Sequence, residues 1–162
     1  MVWITCARAL TLTATALALS SFASSADAPD PFVGTWVLNP SKSTCEPLPA
    51  PKSHTFRIAK VKGGALHDTI DLVEGDGTKT HIDFTTARDG KFVPVTGSGY
   101  ADSASVKQVD ARSFKYAFKK AGKPIESGTF TVSEDGKTMQ GSLSGKDAQG
   151  AWKCQWVSER QQ

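Results

Sequence analysis

The residues with which this chain could do chemistry are three histidines, three cysteines and a few carboxylates set among apolar positions. His54, His67 and His81 all fall in the first half, and only His81 and Asp83 share a strand face at i, i+2. Two residues do not make a metal site, and no histidine is present late in the chain to ligate haem. The run Gly141-Ser142-Leu143-Ser144-Gly145 puts Leu where a nucleophile elbow needs Ser. Neither a phosphate loop nor a dinucleotide fingerprint occurs. No catalytic set, metal site or cofactor is therefore predicted. Asp68, Gln108 and Glu126 carry the sharper signal, because each sits in register with apolar neighbours. A carboxylate that faces an apolar interior costs several kcal/mol unless it is paired, hydrated or near an opening. Such groups either orient a bound molecule, act as general acid or base on an enclosed substrate, or stand at a rim.

The elements that must position these groups all read with a period of two, and helical stripes are absent. His54 to Lys60 alternates, Lys62-Gly63-Gly64 turns the chain, and Leu66 to Val73 alternates again. Gly75-Asp76-Gly77, Asp89-Gly90, Gly122 and Asp135-Gly136 mark further turns between the segments 79–85, 91–95, 104–109, 113–119, 125–132 and 137–143. A first strand at Val33 to Leu38 and a last at Ala151 to Val157 bring the total to about ten, joined by the turn residues that favour antiparallel hairpins.

A meander of this kind with one apolar face must stack as two sheets or close on itself, and closure removes the edges that invite aggregation. The expected fold is all-β: an antiparallel up-and-down β-barrel of about 8–10 strands, wide enough to leave room for one small ligand. Alternation points Phe56, Ile58, Asp68, Ile70, Phe84, Gln108, Phe114, Tyr116, Phe118, Glu126 and Phe130 inward. These are the predicted ligand-binding residues. In the strand around Tyr116 the outer partners Ser113, Lys115, Ala117 and Lys119 leave little room for the opposite register.

With 162 residues, 39% apolar, and 19 Lys+Arg against 16 Asp+Glu, the chain has the makeup of one globular domain with a small positive excess. That balance, with lysines interleaved among acids, argues against a nucleic-acid binder. The segment Arg8 to Ala26 has the apolar run and small-residue cleavage region of a signal peptide. Residues 1–26 are therefore expected to be removed, leaving 27–162 as a single barrel domain in the periplasm or outside the cell. The apolar run is too short for a membrane span. Loss of Cys6 with the signal leaves Cys45 and Cys154, which in an oxidising compartment either form one disulfide or remain two separate buried thiols.

At the start of the domain Phe32-Val33-Gly34-Thr35-Trp36 carries a Gly-x-Trp that resembles the lipocalin motif. The resemblance implies that Trp36 closes the bottom of the barrel beside Gly34, and that Arg160, just after the last strand, packs across it. A cysteine late in the barrel bridged to a distant loop is also a lipocalin arrangement, which implies the pair Cys45 and Cys154. Gly34 to Ser43, Pro94-Val95-Thr96-Gly97, Lys119 to Lys123 and Val132 to Met139 further resemble a group of small secreted bacterial proteins with a lipocalin-like calycin barrel. That likeness covers nearly the whole mature chain and implies fold, with no catalytic residues to carry over. Fatty-acid-binding proteins share the strand number, but the prolines at 40, 47, 49 and 51 prevent the helix-turn-helix lid which that family inserts after its first strand. Here the connection Asn39 to Lys52 is expected to be an extended loop. With the loop at Gly97-Ser98-Gly99 and the interruption at Pro94, it forms the candidate portal.

The function expected from these features is that of a monomeric binding protein for a small hydrophobic or amphipathic molecule, without catalysis. Two other readings stand beside it. One is an envelope interaction module, for example a hydrolase inhibitor, that works through the Ser98-Gly99-Tyr100 loop. The other is a small enzyme using Asp68 or Glu126.

Overall fold

The computed structural model describes residues 29–47, 49–97 and 99–162. The expected signal peptide, residues 1–26, lies outside the described residues, as does Cys6. The elements run β1 (Gly34–Leu38), a 3-10 turn (Pro40–Lys42), β2 (Thr44–Glu46), β3 (Ser53–Lys60), β4 (Leu66–Val73) and β5 (Lys79–Thr86). They continue with β6 (Asp89–Pro94), β7 (Ser103–Gln108), β8 (Ser113–Lys120), β9 (Lys123–Val132), β10 (Thr138–Lys146) and β11 (Ala151–Arg160). The ten long strands are those the alternation predicts. β2 is an addition, a short strand inside the connection expected to be a loop.

Neighbours in sequence are neighbours in the sheet from β3 to β5 and from β6 to β11, and every pairing is antiparallel. β1 closes the barrel by pairing with β3 on one side and β11 on the other, with Trp36 opposite Phe56 and Arg160. Between β5 and β6 the ladder is reduced, among the described residues, to one bridge: Asp83 and Thr96 exchange N–H···O bonds of 3.0 and 2.9 Å. The barrel is therefore nearly closed. β6, exposed along much of its length and bulged between Asp89 and Phe92, ends at Pro94, where a missing N–H costs no central ladder bond.

Burial follows the period. In β8, Phe114, Tyr116 and Phe118 are buried while Lys115 is exposed; in β10, Met139, Gly141 and Leu143 are buried between exposed Gln140, Ser142 and Ser144. One end of the barrel is packed solid by Phe32, Trp36, Phe114, Val132 and Met139. Arg160 lies over the Trp36 ring at 4.2 Å and donates to the carbonyls of Pro31, Val33 and Gly136, while Trp36 Nε1 donates to Phe32 O at 2.9 Å. Gly34 has φ +145°, and a side chain there would collide with Arg160. The Gly-x-Trp segment and the late arginine are thus one packed unit at the closed end.

At the same end Asp68, fully buried, meets Arg88 at 3.3 Å, and the guanidinium is sandwiched 4.8 and 4.6 Å from the Phe32 and Phe114 rings. Burial pushes the Asp68 carboxyl up against the pull of Arg88 and lowers Arg88. Arg88 holds a left-handed φ of 55° in the tight β5–β6 turn, which carries its side chain under the barrel instead of into solvent.

Candidate functional site

The other end of the barrel is open, and the space above the packed floor is a cavity of about 720 Å³. Strands supply its wall and loops its mouth. Phe56, Ile70, Phe84, Phe114, Tyr116, Phe118, Glu126 and Phe130, all among the predicted ligand-binding residues, line it. Glycines on neighbouring strands make room for their rings. Tyr116 faces Gly128, where a Cβ would come within 2.7 Å of the ring, and Phe130 lies over Gly141. Neighbouring rings then pack against one another, Tyr116 on Phe130 at 5.6 Å and Phe114 on Phe130 at 5.5 Å, and Phe56 reaches across the interior to Phe114 and Phe130 at 6.4 and 6.3 Å. Gly128 and Gly141 thus let Tyr116 and Phe130 lie flat against the wall.

Three of the predicted ligand-binding residues stand elsewhere. Ile58 and Asp68 do point inward, but into the packed floor below the cavity, where Asp68 meets Arg88. Gln108 is exposed. It is the last residue of β7, past the end of the interior, and its Nε2 donates to Asp110 O at 3.0 Å across its own turn. Alternation tells inside from outside but not how high along the axis a residue sits.

The polar groups of the cavity gather at Glu126 near the mouth. Tyr100 Oη donates to Glu126 Oε2 at 2.5 Å and Tyr116 Oη donates to Oε1. Burial pushes the Glu126 carboxyl up while the two phenols draw it down, and both phenol groups are held well above their usual range by burial and by that carboxylate. Glu74, also in the lining, is raised by half-burial. Opposite them stands His54, 5% exposed, with its ring 4.7 Å from Trp156 and its Nδ1 without a hydrogen-bond partner. Desolvation lowers its pKa from 6.5 to about 4, so the imidazole is neutral at pH 7.

The mouth is strapped by β2. Cys45 and Cys154 are directly opposed in the β2–β11 pairing and joined by a disulfide. Trp156 Nε1 donates to Cys45 Sγ at 3.4 Å, and Pro49 and Pro51 of the same strap line the cavity with both cysteines. The Pro-rich connection is therefore an extended cover, as expected, and it is tied to the last strand. Tyr100 borders the cavity from the opposite loop, with its ring 6.4 Å from Phe118.

His54, Glu74 and Tyr100 were outside the predicted set. His54 shares the strand face of Phe56 and Ile58, and its place was legible from that alternation. Tyr100 comes from a Gly- and Ser-rich loop with no period, and Glu74 from the end of a strand, so nothing local marked either. Among the described residues no group of three or more His, Cys, Asp or Glu is arranged to hold a metal ion.

No protein-family model matches this chain. No curated protein matches it either. Solved structures do. The wild-type fluorescent protein UnaG superposes with a TM-score of 0.52 at 16% identity, over 80% of this chain and 97% of that one. A single-residue variant of UnaG gives 0.52 at 15% identity, over 82% and 97%. A zebrafish ileal bile acid-binding protein complexed with cholic acid gives 0.45 at 12% identity, over 81% and 99%. At these identities the UnaG likeness speaks to fold. The fold shared with UnaG is an all-β, antiparallel, nearly closed up-and-down barrel. The missing helical lid is no bar to that architecture, because a 3-10 turn and β2 occupy the connection instead.

Proposed function

We propose that this protein is a non-catalytic carrier that holds one small hydrophobic or amphipathic molecule inside its barrel. The observation that carries this reading is the cavity itself. Its volume of about 720 Å³ falls in the range of small-molecule sites, and its wall is aromatic and aliphatic with a few polar groups gathered at one place. Asp68 is held in the floor by Arg88, and Glu126 accepts hydrogen bonds from two phenols, so both inward acids are engaged in contacts within the barrel.

The Gly-x-Trp unit and the disulfide further support kinship with small secreted lipocalin-like proteins of bacteria. The signal-like N-terminus supports a periplasmic or extracellular location and a mature chain that starts near Asp27. The mass of the mature chain recovered from its host tests the second point.

The carrier reading is tested with the neutral apolar dye Nile red and by native mass spectrometry of protein purified without added ligand. Saturable 1:1 dye uptake is expected, lost in Ile70→Trp, which places an indole in the open space while the far-UV circular dichroism stays unchanged. A protein that takes up no dye and carries no small molecule would refute it.

A further inference from the structure

We infer that the molecule held in this cavity presents a hydrogen-bond donor at its polar end, an amine above all, and that Glu126 with Tyr100 and Tyr116 is the site that receives it. The inference rests on the carrier reading and adds the chemistry of the ligand's polar group.

A phenol has one O–H, and both Tyr100 and Tyr116 direct theirs to Glu126, one to each carboxylate oxygen. An ionised carboxylate has about four lone-pair positions, so each Glu126 oxygen keeps capacity after accepting one bond. With Glu126 ionised, the cluster thus offers acceptors and, among the described residues, no spare hydrogen. A carboxylate or sulfate at this place would have to take the phenol hydrogens from Glu126 and sit beside its charge, whereas an ammonium or amine meets the free lone pairs of the carboxylate.

Charge points the same way. Among the described residues no Lys, Arg or His nitrogen lies within 4.0 Å of a Glu126 oxygen, and Glu74 is the charged neighbour that acts on it. A half-buried carboxylate with no counter-charge carries a desolvation cost, and this pushes its pKa up. A cationic ligand would supply that charge. Among the described residues no arginine lines the cavity, and His54, which does line it, is neutral at pH 7. The lysines of the lining, Lys120 and Lys146, are exposed at the rim and are outnumbered there by Glu74, Asp76 and Asp147. The wall around the cluster is made of rings, Phe118 and Phe130 among them, which favours a ring-bearing body beside the polar end.

Three fluorescent probes with one body and different polar ends decide the matter: 1-pyrenemethylamine, 1-pyrenemethanol and 1-pyrenecarboxylate, titrated at pH 7 into the full mature protein. The amine is expected to bind at least about tenfold tighter than the carboxylate, the size of one charge-assisted hydrogen bond. In Glu126→Gln that gap should collapse. The alcohol, a neutral donor, should lose less than the amine in the same variant, and saturable Nile red uptake reports that the variant cavity is intact. A carboxylate that binds as well as the amine, or a gap that survives Glu126→Gln, would overturn the inference and leave the carrier reading standing. Failure of all three probes to bind would bring down the carrier reading, and the inference with it.

Discussion

Mild acid should destabilise this barrel through one residue, His54. Its imidazole is 5% exposed, its Nδ1 has no partner, and desolvation holds its pKa at about 4 against 6.5 in the unfolded chain, with the carboxylate of Asp71 pulling weakly the other way. Between those two values the unfolded chain takes up a proton that the folded barrel refuses. The stabilising contribution of a neutral His54 is therefore complete above pH 6.5 and is lost as pH falls toward 4. At about 1.4 kcal/mol per pH unit, the gap amounts to an upper figure of roughly 3 kcal/mol. The perturbation is His54→Phe, which keeps a ring beside Trp156 and removes the titration. Urea unfolding of both proteins at pH 7.5, 5.5 and 4.0 gives two stability curves. Asp68, Glu74 and Glu126, which burial also shifts, titrate in both and cancel in the difference. The wild-type protein should lose about 2–3 kcal/mol relative to the variant across that range. A difference that stays constant within about 0.5 kcal/mol would refute the reasoning and mean that a proton reaches the buried ring at little cost.

Arg160→Met should cost about 3–5 kcal/mol in chemical denaturation, because the carbonyls of Pro31, Val33 and Gly136 lose a charged donor together. Asp68→Leu should destabilise by about 3–5 kcal/mol by leaving Arg88 buried without its acid, and adding Arg88→Met should restore most of that loss. Dye binding per folded molecule should be unchanged in the double variant, since the pair lies below the cavity. Reducing Cys45–Cys154, which closes a separation of 109 residues, should lower stability by up to about 5 kcal/mol on the chain-entropy account. It should also speed dye release in stopped-flow measurements, because the strap that carries Pro49 and Pro51 is then untied from β11.

Much of this protein was legible in the order of its residues. Period-two alternation in segments such as Ser113–Lys120 marks a strand and its buried face at once, because side chains on a pleated strand point to opposite sides whatever surrounds them. Turns at Gly-rich dipeptides and the prolines after Asn39 are equally local. The meander of neighbouring hairpins and the eight cavity residues from Phe56 to Phe130 follow from the same alternation. Tertiary structure decided what alternation cannot encode, which is position along the barrel axis and partners brought from far away. It sends Asp68 to the floor and Glu126 to the mouth, although both are inward-facing acids on alternating strands. Arg88 sits in a turn, where sequence suggests solvent, and only the left-handed backbone at that corner brings it beneath the floor to Asp68. Tyr100 comes from an aperiodic loop to meet Glu126, 26 residues on. Alternation is a property of one strand, whereas the depth of a side chain and the identity of its partner belong to the closed barrel, and so they exist only once all the strands have met.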